Sequence, residues 1–281
     1  MVHRILIVTA VAVEAESVSA GLGLHLGGPG PEPVPLPGGL SLLRHTGGDA
    51  RTGTVVDVLV GGVGPAAVAA STGTALAYGA LTGTTEPYAA RAGSPEPHVS
   101  EPYAAANPYR LVVSAGIAGG FQPLAPLGSV VVSSAVVAAD LGAQTPDGYL
   151  TVDELGFGRS VHPVPETLTG LISAALDAAG RPHTVAPVLT VSTVTGTADR
   201  ASELAGRHPG AAAEAMEGFG VAEAAAAYGV PVVEIRAVSN AVGPRDRAAW
   251  RIGEALGALR DTFELLSLPL LTSTDFVEPS P

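Results

Sequence analysis

The chain has 281 residues, 47% of them hydrophobic, which is ample for one sizeable core. It holds no cysteine and no lysine, which excludes disulfides, thiol nucleophiles, zinc–cysteine sites and every mechanism that needs a lysine amine. A formal charge of −12 without clustered arginines speaks against nucleic acid and against an anionic membrane surface as partners.

The first apolar run, Ile5–Thr9, predicts a strand. Residues 1–9 resemble the start of a signal peptide, but Glu14 and Glu16 interrupt it with no small-residue cleavage site before them. No uninterrupted stretch of eighteen apolar residues follows, so a soluble, cytoplasmic protein is expected. GGPGPEPVPLPGG (27–39) reads as a Pro/Gly linker or hairpin loop. Val55–Val60 predicts a second strand, GGVG (61–64) a small-residue turn, and Pro65–Tyr78 an Ala-rich helix. Thr84–Tyr109 is polar and Pro-rich and reads as a surface insertion at about 84–109. Leu111–Ser114, Ser129–Ser133, Val188–Val191 and Val232–Ser239 predict four more strands; Pro165–Ala179 and Gly218–Tyr228 predict helices. Residues 272–281 read as a flexible tail, which leaves one domain over 1–271.

The strand runs are continuously apolar, as expected for strands buried on both faces. Strands alternating with helices predict an α/β fold: a single domain with a mixed, mostly parallel central β-sheet flanked by helices. In such sheets ligands sit at the carboxyl ends of strands, where small residues let backbone approach them. SAGIAGG (114–120) would be such a turn, although close packing alone explains it equally well.

AEAMEGFGVAEAAAAYGVPVVEIRAVSNAVG (213–243) is more informative. It reads as a carboxylate-bearing turn, a short helix, a buried strand, and a polar Ser239-Asn240 at the strand's carboxyl end. Glu217 lies between Met216 and Gly218, and a carboxylate in such a place must be paired or directed at a ligand. Taken singly, Glu217 is also explained as a helix-start charge and Asn240 as a turn residue. Together, in this order, the Met-Glu-Gly turn and Arg-Ala-Val-Ser-Asn resemble the nucleoside phosphorylase/nucleosidase superfamily. Within it, VEAES (13–17), ADLGAQTPDGYLTVDELGFG (139–158) and SNAVGPRDR (239–247) resemble the futalosine hydrolase family more than the methylthioadenosine nucleosidases. Glu214 stands one residue further back than in the Glu-Met-Glu of the latter enzymes. Only Met216 and Glu217 carry over, and the place of Glu214 stays open.

The resemblance implies cleavage of the N-glycosidic bond of a purine nucleoside, with no cofactor. It implies that Glu217 holds the ribose hydroxyls, that Met216 packs on the sugar, and that Ser114, Ala115 and Gly116 form a glycine-rich turn under sugar and base. Thr195, Gly196 and Thr197 would line the base. Glu16 is implied as the base that activates water, in a first turn whose carboxylates repel phosphate. Asn240 would recognise the leaving base: an amide accepts from a ring N–H and donates to a carbonyl, which suits a 6-oxopurine. The seven histidines are scattered and predict no metal site. The expected partner is a small purine nucleoside, and a homo-oligomer is carried over from the family. A 6-oxopurine nucleoside phosphorylase, a methylthioadenosine nucleosidase and a non-catalytic nucleoside-binding protein remain as alternatives.

Overall fold

A computed structural model describes residues 3–26, 30–47, 53–83, 107–146 and 148–272. In chain order, β1 (His3–Thr9) leads into α1 (Ala12–Leu26), and β2 (Glu32–Pro35) and β3 (Ser41–Gly47) form an antiparallel hairpin. Then come β4 (Thr54–Val60), α2 (Pro65–Gly83), β5 (Tyr109–Gly120) and β6 (Val130–Ala138). A small hairpin of β7 (Gly142–Thr145) and β8 (Gly148–Thr151) and the short β9 (Val161–Pro163) precede α3 (Glu166–Ala178). The last third is β10 (His183–Thr190), α4 (Ala198–Arg207), β11 (Ala213–Ala215), α5 (Gly218–Ala227), β12 (Val232–Ala241) and α6 (Ile252–Thr272).

The main sheet runs β11-β10-β6-β12-β5-β1-β4-β3-β2. Its central pairs are parallel: β1 with β4 and with β5, β5 with β12, and β6 with β10. β11 pairs in parallel with β10 and antiparallel with β5, so the strands β5, β12, β6, β10 and β11 close on themselves. The expected mixed α/β architecture is therefore what the chain adopts, with a closed half that no sequence pattern announced. Leu6, Ile7, Leu111, Val113, Val130, Val132, Val233 and Ile235 are fully buried between sheet and helices. Each such side chain contributes about 1.5–3 kcal/mol on removal from water.

Every expected strand and helix is present. Three helices were not expected. α4 has a single buried residue, Leu204, too weak an apolar signal to read; it is set instead by its cap, Thr197, whose hydroxyl accepts from Arg200 N at 3.2 Å. α1 and α6 pack against each other; the start of α1 was read as the VEAES motif, and no element was expected over 252–271.

Two boundaries move. SAGIAGG is not a turn: it is the second half of the twelve-residue β5, held by parallel pairing to β12. Tyr109, counted with the insertion, is the first residue of that strand; its buried hydroxyl donates to Asp57 Oδ2 at 2.6 Å. The remainder of the insertion (84–106) and the tail (273–281) lie outside the described residues, and Thr272 closes α6. No described helix is long and apolar enough to cross a membrane.

Candidate active site

The carboxyl ends of β1, β4, β5 and β12 and the start of α5 surround one buried guanidinium. Arg236, on β12, is 1% exposed. Its Nε donates to Glu234 Oε1 at 2.7 Å, and its Nη2 donates to Glu217 Oε2 at 3.1 Å and to Ser114 Oγ at 3.3 Å. Burial works against the Arg236 charge, but Glu234, Glu217 and Glu14 hold it more firmly protonated than usual.

Glu14 is the third carboxylate of this cluster, 3% exposed. Its Oε2 accepts from Ala10 N at 3.0 Å and Val11 N at 3.3 Å, and its Oε1 accepts from Ile117 N at 2.9 Å. These bonds place it at the start of α1, where backbone N–H groups favour an anion. Gly116 is glycine because its neighbours leave no room: a side-chain carbon there would lie 2.5 Å from Glu14 Oε1 and 2.6 Å from Arg236 Nη1.

Glu217 stands at the N-terminus of α5, 6% exposed, and its Oε1 accepts from Gly64 N at 3.3 Å. Thus GGVG, the weakest motif of the sequence, supplies backbone to the site. Glu234 is fully buried; burial pushes its carboxyl up while Arg236 pulls it down. Its Oε2 has no hydrogen-bond partner among the described residues. A side-chain carbon at Gly218 would lie 2.0 Å from that oxygen, which accounts for the glycine after Glu217.

Asn240 is half-buried at the end of β12, where a register shift follows Val238. Its Oδ1 accepts from Ser239 Oγ at 2.9 Å and its Nδ2 donates to Ala241 O at 3.0 Å. Gly119 of β5 is paired with Asn240 on one side and with Glu214 of β11 on the other. Glu214 is buried and accepts from Thr195 N at 2.8 Å and from the Thr195 hydroxyl, which clamps the β10–α4 turn to the sheet. Burial pushes the Glu214 carboxyl up, against the pull of those Thr195 bonds.

The structure thus brings Met216, Glu217, Asn240 and the Thr195 turn to one edge of the sheet. Several expected residues take other places. Glu16 is exposed on α1; the carboxylate that faces the cluster is Glu14. The reason is helical phase: Ala15, Val18 and Leu22 set the buried face, and residue 16 lies about 200° around from residue 14. Ser114 and Ala115 lie beneath the site, 0% and 1% exposed, because β5 runs on to Gly120. The half-buried residues of β5 at the rim are Ile117 and Gly119. Thr197 is exposed and committed to the α4 cap, and Gly196 is half-buried against the stem of Arg245.

Glu14, Glu234, Arg236 and Gly64 were missed as site residues. Two signals were available: the i, i+4 phase of Glu14 with Val18 and Leu22, and two charges, Glu234 and Arg236, on one face of a continuously apolar strand. No group of three or more His, Asp and Glu among the described residues could hold a metal ion.

A model of the phosphorylase superfamily matches residues 4–266. The futalosine hydrolase of Streptomyces coelicolor is 56% identical over 218 residues, which cover 77% of this chain and 80% of that protein. This chain belongs to the futalosine hydrolase family of the phosphorylase superfamily. A second family member, the futalosine hydrolase of Acidothermus cellulolyticus, is 48% identical over 56% of this chain and 64% of its own length. Among solved structures, the native futalosine hydrolase of Helicobacter pylori superposes with a TM-score of 0.67 at 18% identity, over 96% of this chain and 97% of that chain. At that identity the likeness is one of fold alone.

Proposed function

We propose that this protein hydrolyses the N-glycosidic bond of futalosine, releasing hypoxanthine and dehypoxanthine futalosine, as a step of menaquinone biosynthesis. The observation that carries the reading is the cluster of Glu14, Glu217 and Arg236 beside Asn240, in a chain more than half identical to a futalosine hydrolase. Glu217 accepts from the ribose hydroxyls with its free lone pairs, and charge-assisted bonds of this kind are stronger than neutral ones. Met216, half-buried before it, packs on the sugar. Asn240 donates to the carbonyl of a 6-oxopurine and accepts from its ring N–H.

Glu14 replaces Glu16 as the proposed general base. It orients a water and takes its proton as the water oxygen bonds to the sugar's anomeric carbon. The base nitrogen leaves with the electron pair of the broken bond and is protonated from solvent. A phosphorylase is disfavoured because the buried arginine is already committed to carboxylates, so a phosphate at this site would meet net negative charge. A methylthioadenosine nucleosidase is disfavoured by Asn240, which cannot donate a proton to an adenine ring. The reading carries with it one catalytic domain with the 84–106 stretch as a surface insertion, a cytoplasmic location and a homo-oligomer, the last checked by size-exclusion chromatography with light scattering.

The deciding assay incubates the protein with futalosine, inosine and methylthioadenosine, with and without phosphate, and follows free base. Hypoxanthine from futalosine at a phosphate-independent rate is expected. A tenfold acceleration by phosphate with a sugar phosphate as product would overturn the hydrolase, and no release of base from any nucleoside would favour a non-catalytic binding protein.

A further inference from the structure

Glu234 is a carboxylate that the cluster does not need for charge. Glu14 and Glu217 already outnumber the single guanidinium of Arg236, and a third buried acid adds desolvation cost without a second cation to meet it. β12 is buried on both faces here, with Val233 and Ile235 fully buried on either side, so an apolar residue at 234 would suit the strand better.

Glu234 is also poorly matched as an ion-pair partner. The Nε and Nη2 of a guanidinium point to one side and fit both oxygens of a single carboxylate. On Arg236 that fork is split between two acids: Nε donates to Glu234 Oε1 at 2.7 Å, and Nη2 donates to Glu217 Oε2 at 3.1 Å. Glu234 Oε2, pressed against Gly218, is left without a hydrogen-bond partner. A pair built for stability alone would close the fork. This one forgoes a bond, and Nη2 reaches Glu217 and Ser114 instead.

The far edge of the guanidinium shows what is gained. Arg236 Nη1 and Glu14 Oε1 flank one point, the position of a side-chain carbon on Gly116, at 2.6 and 2.5 Å. Yet Arg236 pairs with Glu217 and Glu234 and not with Glu14, whose hydrogen bonds come from the backbone N–H groups of Ala10, Val11 and Ile117. Opposite charges so close attract, and the hold on Nε is what keeps the guanidinium from turning onto Glu14. A carboxylate engaged by a guanidinium is a weaker base.

We propose that Glu234 is a positioning residue for the reaction: by holding Nε it aims Arg236 at Glu217 and keeps Glu14 free to take a proton from water. This rests on the nucleosidase reading for the roles of Glu14 and Glu217; the aim of Arg236 stands on geometry alone.

Two variants separate position from packing. Glu234→Met keeps the length of the side chain and removes the acceptor, whereas Glu234→Gln keeps an oxygen that accepts from Nε. In E234M the melting temperature should stay level or rise, because exchanging a buried, half-paired charge for an apolar group is often neutral or stabilising. Its kcat for hypoxanthine release from futalosine should nevertheless fall by about tenfold or more, as a hindered general base does. Its crystal structure should show Arg236 hydrogen-bonded to Glu14. E234Q should turn over within about threefold of wild type, since the hold on Nε survives. A lowered melting temperature in E234M with Arg236 still on Glu217 would make Glu234 a prop of the fold and overturn the role. Wild-type kcat in E234M, or a loss in E234Q equal to that in E234M, would overturn it too. Wild-type protein that releases no hypoxanthine sinks the nucleosidase reading; the place of Arg236 in the E234M structure then still decides whether Glu234 sets it.

Discussion

Arg236 Nη2 meets Glu217 Oε2 at 3.1 Å, with the two side chains 1% and 8% exposed. The pair couples the carboxylate proposed to hold the sugar to an arginine that Glu234 holds from behind at 2.7 Å. Replacing Arg236 by Met should therefore do more than remove one contact. It leaves Glu14, Glu217 and Glu234 buried without a cation, and breaking a buried pair in this way costs about 3–5 kcal/mol. Urea denaturation of wild type and variant measures it, and a loss under 1 kcal/mol would show that the cluster is not held by charge.

Glu14→Gln keeps the size of the side chain and removes the proposed base. Loss of a general base lowers the rate by about two to four orders of magnitude, so kcat should fall on that scale with KM within a few-fold. Glu16→Gln, on the exposed face of α1, should turn over futalosine at close to the wild-type rate. The reverse pattern in hypoxanthine release would return the role to Glu16.

Asn240→Asp should shift base preference from hypoxanthine towards adenine. An ionised Asp only accepts, so it repels the carbonyl of a 6-oxopurine, whereas a protonated one donates to the ring nitrogen of adenine and accepts from its amino group. One lost bond to a buried partner costs about 1–3 kcal/mol, roughly tenfold to a hundredfold in relative kcat/KM. The ratio for futalosine and its 6-amino analogue, in both proteins, decides it; an unchanged ratio places base recognition in the Thr195 turn.

Glu214 carries a pH signature. Its carboxyl is pushed above the ordinary value of 4.5 by burial, so between that value and its folded one the native state holds a proton that the unfolded chain has released. Stability from this group is complete below the ordinary value and is lost as pH rises through the folded one. Glu214→Gln removes the titration, so the difference in melting temperature, variant minus wild type, should grow as pH is raised from 4.5. A flat difference across that range would count against it.

The Pro-rich segment should be dispensable for folding. Asn107 Nδ2 donates to Leu76 O at 3.3 Å, which brings the chain back beside α2 about 10 Å from its end at Gly83, at 1.5 Å per helical residue. A Gly/Ser linker of about six residues in place of 84–106 spans that gap. With Asn107 and Tyr109 kept, the melting temperature should stay within about two degrees; a large drop would mean that the segment docks onto the body or onto a second subunit.

The order of apolar strands and Ala-rich helices determined the α/β class without help from coordinates. Each of the six expected strands carried its own signal, a continuous apolar run such as Leu111–Ser114 or Val232–Ser239, whereas the strands β2, β3, β7, β8, β9 and β11 carried none that was read. Met216, Glu217 and Asn240 became candidates for a different reason: singly Glu217 and Asn240 read equally as a helix-start charge and a turn residue, and only the order of the Met-Glu-Gly and Arg-Ala-Val-Ser-Asn motifs, which resembles a known superfamily, singled them out. The sequence held a signal for Glu14 over Glu16 in its i, i+4 phase with Val18 and Leu22, but only the tertiary structure turned that face of α1 towards Arg236. It alone made Ser114 a floor instead of a contact, because β5 continues to Gly120 only where β12 and β11 are there to pair with it. The same holds for Arg236: residues 14, 217, 234 and 236 span most of the chain, and only the pairing of β1, β12 and β11 with β5 puts three carboxylates around one guanidinium.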